Sequence, residues 1–462
     1  MKLSELLKDI IQTDLDVELK GLCLHASQVQ PGDVFIALQG QNVHGIDYLD
    51  QAINNGAVAV LVDSQTIEAS IPSISIGQLG QHLSTLAKRY YANAAQVEVI
   101  GITGTNGKTS TAYFITQLLT NLGVNCATIG TLGIEKSSLT SIHTTPDLIT
   151  LYRALDGYHQ QGITHAVLEV SSHALDQDRI QGLNVVYAVF TNLTQDHLDY
   201  HKDLESYQGA KAKLFTRDSV KHVILNQADN YAQTLSDLAA GKAQHNYHTD
   251  EFELAQANEH GFLMQWAGWV FELPLLGEFN LANVLSSVKT AQAMGFELSS
   301  IVPQLTQLVP PPGRMQQINQ HSIWVDYAHT PDAIKQAILT LKAHFPNRRI
   351  RLIFGCGGER DQNKRAQMGK IATTLADSVI LTNDNPRSED PEAIIADIQK
   401  GIAEEVQAEV IPDRQLAIEN TVRTLKEDEC LLIAGKGHET TQVFADHVLE
   451  FSDIEIAKHA AH

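Results

Sequence analysis

Residues 99–123 read "VIGITGTNGKTSTAYFITQLLTNLG". β-Branched residues lead into a turn dense in Gly, Thr and Asn, and a helix-like amphipathic run, "AYFITQLLTNL", follows. A strand entering a helix through a glycine turn aims several backbone N–H groups and a helix N-terminus at one point, which suits the oxygens of a polyphosphate. Lys108 would add a point charge at the β/γ-phosphates, and the hydroxyl of Thr109 or Ser110 a ligand for Mg²⁺. The pattern G-x-x-x-x-G-K-[ST] is met except at its first glycine, where Ile102 stands; what remains is Gly104-Thr105-Asn106-Gly107-Lys108-Thr109. A tight βα turn with an exposed lysine is the weaker alternative, because the flanking strand and helix are the context the motif requires. Nucleotide binding on an α/β sheet is therefore expected.

A chain of 462 residues exceeds what one core usually supports, so two or three domains are expected. Apolar residues at 43% and charged residues at 19% are ordinary for a globular enzyme, and neither disorder nor collagen-like repetition is indicated. The net charge of −21 disfavours nonspecific attraction to nucleic acid or anionic membrane, although a local basic cleft would still collect an anionic substrate. Cys23, Cys126, Cys356 and Cys430 lack C-x-x-C spacing, so neither a zinc site nor a disulfide framework is signalled and a reducing cytoplasm fits best. The opening "MKLSELLKDIIQTDLD" is amphipathic and broken by Asp and Glu, unlike a signal peptide. No stretch approaches the roughly 20 apolar residues that span a bilayer.

Three blocks separate by pattern. Residues 1–95 place "DVFIALQG" and "AVAVLVDS" as short buried strands around the helical "YLDQAINNG", and end in the helical "QLGQHLSTLAKRYYANA". Residues 96–312 repeat strand–helix alternation through "THAVLEVSS", "VVYAVFTNLT" and "HVILNQAD", which argues for a parallel sheet covered on both faces. "VPPPGR", residues 309–314, cannot continue a helix or a central strand and reads as a linker. Residues 313–462 alternate again, from "SIWVDYA" through "PEAIIADIQKGIAEE" to "ECLLIAGKGHE", which predicts a Rossmann-like, doubly wound domain.

Polar clusters follow the expected strands. Glu169 near a strand end, followed by Ser171, Ser172 and His173, suits a hard cation bridging phosphates, or equally an acid that caps the next helix. Asp196, His197, Asp199 and His201 are metal-capable, yet loop histidines are more often simply solvated. Lys211 and Lys213 read by default as solvated helix charges. In the third block, "VDYAHTPD", "GCGGERDQNKR", "TNDNPR" and "GKGHE" each follow a predicted strand. One such cluster is a fair turn; four at strand C-terminal ends make a shared site the better explanation. Arginine with Asn and a carboxylate recognises a zwitterion, the planar fork taking its carboxylate and the acid its ammonium.

The ordered motifs "GITGTNGKTS", "HTTPD", "EVSSHALDQDR", "NLTQDHLDYH", "GEFNLANVLSS", "PGRMQ", "DYAHTPDAI", "GCGGERDQNKR", "DNPR" and "AGKGHE" resemble the Mur ligases. Within that family they are most similar to the branch that adds the third residue of the peptidoglycan stem peptide. The resemblance runs from about residue 20 to 453 and implies three domains, with a UDP-sugar-binding domain ahead of the two ligase domains. Where relatives usually carry Asp-Ser-Arg, this chain has His25-Ala26-Ser27, and Ser27 falls at the expected UDP-sugar contact.

The implied reaction uses ATP and Mg²⁺ to make an acyl phosphate on the γ-carboxylate of D-Glu in UDP-N-acetylmuramoyl-L-Ala-D-Glu. The amine of meso-diaminopimelate then attacks it. By resemblance Gly104, Thr105, Asn106, Gly107, Lys108, Thr109 and Ser110 hold the ATP phosphates, and Asn280, Arg314, Asp326 and His329 the adenosine end. Thr109 and Glu169 would ligate one Mg²⁺, and His197 with a carbamylated Lys211 a second. The nucleotide sugar would meet Thr144, Thr145, Ser171, Gln177 and Arg179, and diaminopimelate would meet Arg360, Asp384, Asn385, Arg387, Gly435 and Glu439. Arg387, last in "DNPR", argues for diaminopimelate over lysine, since it would pair with the distal carboxylate that lysine lacks. A cytoplasmic monomer with neither nucleic-acid nor membrane partners is expected. The rivals are the same reaction with L-lysine, a folylpolyglutamate-type ligase, and a nucleotide-gated binding protein that makes no bond.

Overall fold

The computed structural model describes residues 1–40, 43–63, 67–141, 143–194, 198–319 and 321–461. By internal contacts the chain divides into two units, Met1–Tyr247 with Ser286–Gly295, and His248–Leu285 with Phe296–His462.

In the first unit the apolar runs of the opening block form a parallel sheet of β1 (Gly21–Cys23), β2 (Asp33–Ala37), β3 (Ala59–Asp63) and β4 (Ser73–Ile76), paired in that order. Every residue of β2 is buried, as its apolar run Val34–Ala37 requires when both faces are covered. The helix Leu49–Asn54 stops just before Gly56, whose φ of 98° supplies the left-handed step that ends helices.

The second sheet of this unit holds β5 (Glu98–Thr103), β6 (Cys126–Gly130), β7 (Gly133–Ile134), β8 (His165–Glu169), β9 (Val185–Phe190), β10 (His222–Asn226) and β11 (Ala243–Tyr247). Their order is β11-β10-β9-β5-β8-β6-β7, parallel throughout except for β7. The chain builds outward from β5, first to β6 and β8 on one side, then to β9, β10 and β11 on the other. β5 is thus the topological switch point, and its C-terminal end opens the crevice where such sheets hold ligands. The glycine turn lies there. One apolar core joins both sheets, with Leu22, Val34 and Leu61 in the same cluster as Val99, Ala166 and Leu168.

The second unit begins with an antiparallel sheet of β12 (Leu254–Asn258), β13 (Gly261–Trp266) and β14 (Trp269–Leu273), a departure from the expected strand–helix alternation. Its signal is a period of two, with Phe262, Met264 and Trp266 buried, and a two-residue turn at Ala267 and Gly268, φ 49° and 82°.

The main sheet comprises β15 (Gln316–Gln317), β16 (Ile323–Asp326), β17 (Arg349–Phe354), β18 (Ser378–Leu381), β19 (Glu409–Val410) and β20 (Glu429–Ala434), in the order β15-β16-β20-β17-β18-β19. All pairs are parallel except β15–β16. Alternate residues feed opposite cores: Trp324, Leu352 and Leu432 on one face, Val325, Ile353 and Ile433 on the other. The doubly wound α/β expectation holds for this sheet. Among the described residues no helix is long and apolar enough to cross a membrane.

"PEAIIADIQKGIAEE" is helical only over Pro391–Gln399. A Cβ on Gly401 would come within 1.7 Å of Ala366 O, so this residue must be glycine for the chain to turn back against its neighbour. Gly401→Ala is expected to destabilise the second unit by about 1–3 kcal/mol. Gly209→Ala, in an exposed helix position with open space, is expected to stabilise the first by up to about 1 kcal/mol. Thermal unfolding of both variants checks the contrast; equal effects would contradict it.

Candidate active site

The phosphate-type loop is held from β9. Asn106 N donates to Asn192 Oδ1 at 2.9 Å, Thr191 Oγ1 donates to Asn106 O at 2.7 Å, and Thr105 N donates to Asn192 O at 2.8 Å. Gly104 has φ 156°, and a Cβ there would lie 1.9 Å from Thr191 Oγ1. Gly107, φ 82°, is the N-cap of the helix Lys108–Asn121 and leaves the first N–H groups of that helix without a side-chain cap. Lys108 Nζ donates to Gly104 O at 2.8 Å and to Thr105 O at 2.9 Å, folded back over the loop it would serve.

Glu169, at the end of β8, is buried. Its Oε2 accepts from Thr109 Oγ1 at 2.9 Å and from Thr131 Oγ1 at 3.1 Å, and its Oε1 accepts from Thr131 N at 2.9 Å. The helix-capping alternative for Glu169 fails, because Ser171 caps the helix Ser172–Asp176. The two helix lysines part ways. Lys213 is 46% exposed and pairs with Asp176, whereas Lys211 is 1% exposed, with Nζ donating to Gly104 O at 2.8 Å and lying 4.4 Å from the Tyr207 ring centre. The default reading of Lys211 as a solvated charge is thereby corrected: its face of the helix Leu204–Phe215 is the one turned to the loop. Ser110 is buried in the first turn of its helix. Asp196 and His197 lie outside the described residues.

Thr144, Thr145, Ser171, Gln177 and Arg179 join this centre through one network. Thr144 Oγ1 lies within hydrogen-bond distance of Thr131 Oγ1, at 3.2 Å, and Thr145 Oγ1 donates to Glu169 O and accepts from Ser171 N, both at 2.9 Å. Arg179 Nη1 donates to Thr145 O at 2.9 Å, while Nε and Nη2 donate to Gln177 Oε1 at 3.0 and 2.7 Å. Ser27 is exposed and stands outside it; its neighbours reach the same segment instead. Gln28 Nε2 donates to Thr140 O at 3.2 Å, and His25 Nε2 lies 3.5 Å from Asp147 Oδ2. The hydrogen bond and charge of Asp147 raise the pKa of His25. Burial pushes the Asp147 carboxyl up, but hydrogen bonds from His25 and Thr150 outweigh it and hold the pKa below the ordinary value.

In the second unit the ends of β16, β20, β17 and β18 carry the four clusters. Lys436, fully buried, donates to Asn385 Oδ1 at 2.9 Å and to Glu439 Oε2 at 3.0 Å, and Asn385 Nδ2 donates to the same Glu439 oxygen at 2.8 Å. Asp384 Oδ1 accepts from Asn385 N at 2.8 Å, and a Cβ on Gly435, φ 118°, would fall 2.5 Å from Asp384 Oδ2. Burial pushes the Asp384 carboxyl up, against the pull of Arg414 and Lys436. Arg387 sits at φ 55°, a conformation costly for a side-chain-bearing residue, and its Nη1 donates to Gly358 O at 2.7 Å. Arg360 is exposed beside Gly357.

Asp384, Asn385, Arg387, Gly435 and Glu439 thus converge. Lys436 was read only as part of the "GKGHE" cluster, and its position between two glycines directly after a strand is the signal that marks it. Asp326 Oδ2 accepts from Met315 N at 2.7 Å, and burial raises its pKa against the charge of Arg314. Arg314 lies 4.4 Å over the Tyr327 ring, its buried Nε without an acceptor among the described residues, the kind of donor a ligand satisfies. His329 is held by Tyr327 O at 2.8 Å, and Asn280 Nδ2 donates to Leu276 O in the segment just before its helix Phe279–Ala293.

Three family models match in order: the Mur ligase family catalytic domain over residues 18–91, the Mur ligase middle domain over 102–291, and the Mur ligase glutamate ligase domain over 313–437. A UDP-N-acetylmuramoyl-L-alanyl-D-glutamate--2,6-diaminopimelate ligase of Coxiella burnetii (strain RSA 493 / Nine Mile phase I) is 40% identical over 474 residues, covering 96% of each chain. A solved structure of a ligase of that name matches with TM-score 0.67 at 34% identity, over 100% of this chain and 99% of that one. A Mycobacterium tuberculosis folylpolyglutamate synthase complexed with ADP matches with TM-score 0.62 at 18% identity, over 76% of this chain and 91% of that one, a likeness of fold alone.

The His25–Asp147 pair makes a pH prediction. A histidine whose pKa is raised on folding contributes stability in full below its unfolded value, about 6.5, and loses it as pH rises through its folded value. The lower limit comes only when pH falls through the depressed value of Asp147. With 44% of the His25 side chain exposed, the contribution is at most about 1 kcal/mol. The stability difference between wild type and His25→Ala should therefore shrink above neutral pH; a difference that grows there would contradict the pairing.

Proposed function

The chain belongs to the Mur ligase family, and on that premise we propose that it joins meso-2,6-diaminopimelate to the D-Glu γ-carboxylate of UDP-N-acetylmuramoyl-L-Ala-D-Glu in an ATP-dependent amide-forming reaction. The setting would be peptidoglycan precursor synthesis in the cytoplasm. The observation that carries this reading is 40% identity with a diaminopimelate-adding ligase across 96% of both chains. Residues 1–95 are assigned to the nucleotide sugar, 96–312 to ATP and 313–462 to the amino acid.

A carboxylate is a poor electrophile, so a leaving group must be installed. A carboxylate oxygen attacks the γ-phosphorus as the bond to ADP breaks. The amine nitrogen then attacks the acyl carbon, and the C–O bond to phosphate breaks. Lys108 would exchange the carbonyl acceptors of Gly104 and Thr105 for phosphate oxygens, and the N-terminus of the Lys108–Asn121 helix would face the same anion. The hydroxyl of Thr109 and the carboxylate of Glu169 are hard oxygen donors held together at this loop, and they fit Mg²⁺. Bound there, the ion would neutralise phosphate charge. Among the described residues no group of three His, Cys, Asp or Glu is arranged for a metal. Lys211 is assigned as a carbamylated lysine, which converts a buried cation into an anion.

Arg387 would pair with the distal carboxylate of diaminopimelate, and Asp384 and Glu439 with ammonium groups. Losing one partner of such a desolvated pair costs about 2–5 kcal/mol.

With UDP-N-acetylmuramoyl-L-Ala-D-Glu and ATP, phosphate release is expected with diaminopimelate and not with L-lysine or without an amino acid. Release with lysine alone would discard the specificity, and release with neither would discard the acceptor. Arg387→Ala is expected to erase the preference. Lys211→Ala should be inactive and partly restored by added short carboxylic acids; full activity without them would sink the carbamate.

A further inference from the structure

Arg414 and Asp453 form an ion pair that the reaction above does not use. Both side chains are 0% exposed, with Nε and Nη2 of the guanidinium each 2.7 Å from a carboxylate oxygen. Arg414 opens the helix Arg414–Arg423, capped by Asp413, and Asp453 opens the helix Asp453–Ala460, capped by Ser452. A cation at the first position of a helix opposes the helix dipole. A buried ion pair is on average no more stabilising than apolar side chains of the same volume. Neither helix stability nor core packing therefore accounts for Arg414.

Its remaining donors do. Nη2 donates to Ala434 O at 2.9 Å, and Nη1 donates to Asn383 O at 3.4 Å. Ala434 is the last residue of β20 and precedes Gly435; Asn383 follows β18 and precedes Asp384. One guanidinium thus holds the carbonyls from which two segments depart, Asp384–Arg387 and Gly435–Glu439. Their spacing is tight: a Cβ on Gly435 would lie 2.5 Å from Asp384 Oδ2 and 3.9 Å from Arg414 Nη2. Lys436 is engaged with Glu439 and Arg414 with Asp453, while Asp384 enters no ion pair among the described residues. The clamp therefore sets where a buried carboxylate stands in the site.

We propose that Arg414, oriented by Asp453, is a positioning residue of the amino-acid site, setting the separation of the β18 and β20 ends and through it the affinity for the incoming amino acid. The inference rests on reading those strand ends as the amino-acid site. It makes the helix Asp453–Ala460, which carries none of the expected binding residues, a determinant of binding through one carboxylate.

The test is a set of Michaelis constants for amino acid, ATP and nucleotide sugar, measured on the full chain. Asp453→Asn leaves Arg414 without its counter-charge. The double variant Arg414→Met/Asp453→Leu removes both charges together, the replacement that buried pairs tolerate best, and it decides the matter if Asp453→Asn does not fold. The expected result is a KM for the amino acid raised by about tenfold or more, with the other two constants within about twofold of wild type. A folded double variant with an unchanged amino-acid KM would overturn the proposal, as would a parallel rise in all three constants. If the wild-type protein uses another amino acid, the comparison is made with that one, so an error over diaminopimelate leaves the clamp testable. An unchanged amino-acid KM in Asn385→Ala would instead remove the site reading, and with it the premise.

Discussion

Two lysine ammonium groups converge on one carbonyl oxygen: Lys108 and Lys211 each donate to Gly104 O at 2.8 Å. Like charges brought this close repel, and an anion bound beside them lowers that repulsion. The proposed polyphosphate would be such an anion, and the proposed carbamate on Lys211 would remove one of the two positive charges. The rest of the first unit serves this point. β5 is the switch strand, Thr191 and Asn192 directly after β9 grip the loop, and β8 brings Glu169 to Thr109.

In the second unit, the strand ends proposed to receive the amino acid gather charged groups of both signs. Its strand ends hold Asp384, Glu439, Lys436 and Arg387 in one neighbourhood, Asp384 and Lys436 of them buried, and each is oriented by backbone or by a partner. Glycines at 357, 358 and 435 let the backbone pass close to these groups; a Cβ on Gly357 would lie 2.9 Å from Arg387 Nη1. If these groups receive the proposed amino acid, they would select by leaving the wrong ligand's partner unpaired, which is costly where water is excluded.

The phosphate loop was legible because strand, glycine turn and helix are local in sequence and each carries its own pattern. The same holds for the strand-end clusters, since a polar run after an apolar one marks the rim of a parallel sheet. Lys211 was not legible from residues alone: which face of its helix is buried depends on where Gly104 lies, 107 residues away. Family resemblance singled it out where periodicity did not. The sheet of β12 to β14 escaped because its alternation spans only short strands. Arg414 escaped for a similar reason, since its meaning lies in three groups far apart in sequence, Asn383, Ala434 and Asp453.

The central claim is that a substrate carboxylate is activated by phosphate before the amine attacks it. The direct measurement is turnover of UDP-N-acetylmuramoyl-L-Ala-D-Glu carrying heavy oxygen in the D-Glu γ-carboxylate. If an acyl phosphate forms, one labelled oxygen must leave with the inorganic phosphate for each amide made. Unlabelled phosphate, released in step with amide formation, would contradict the account.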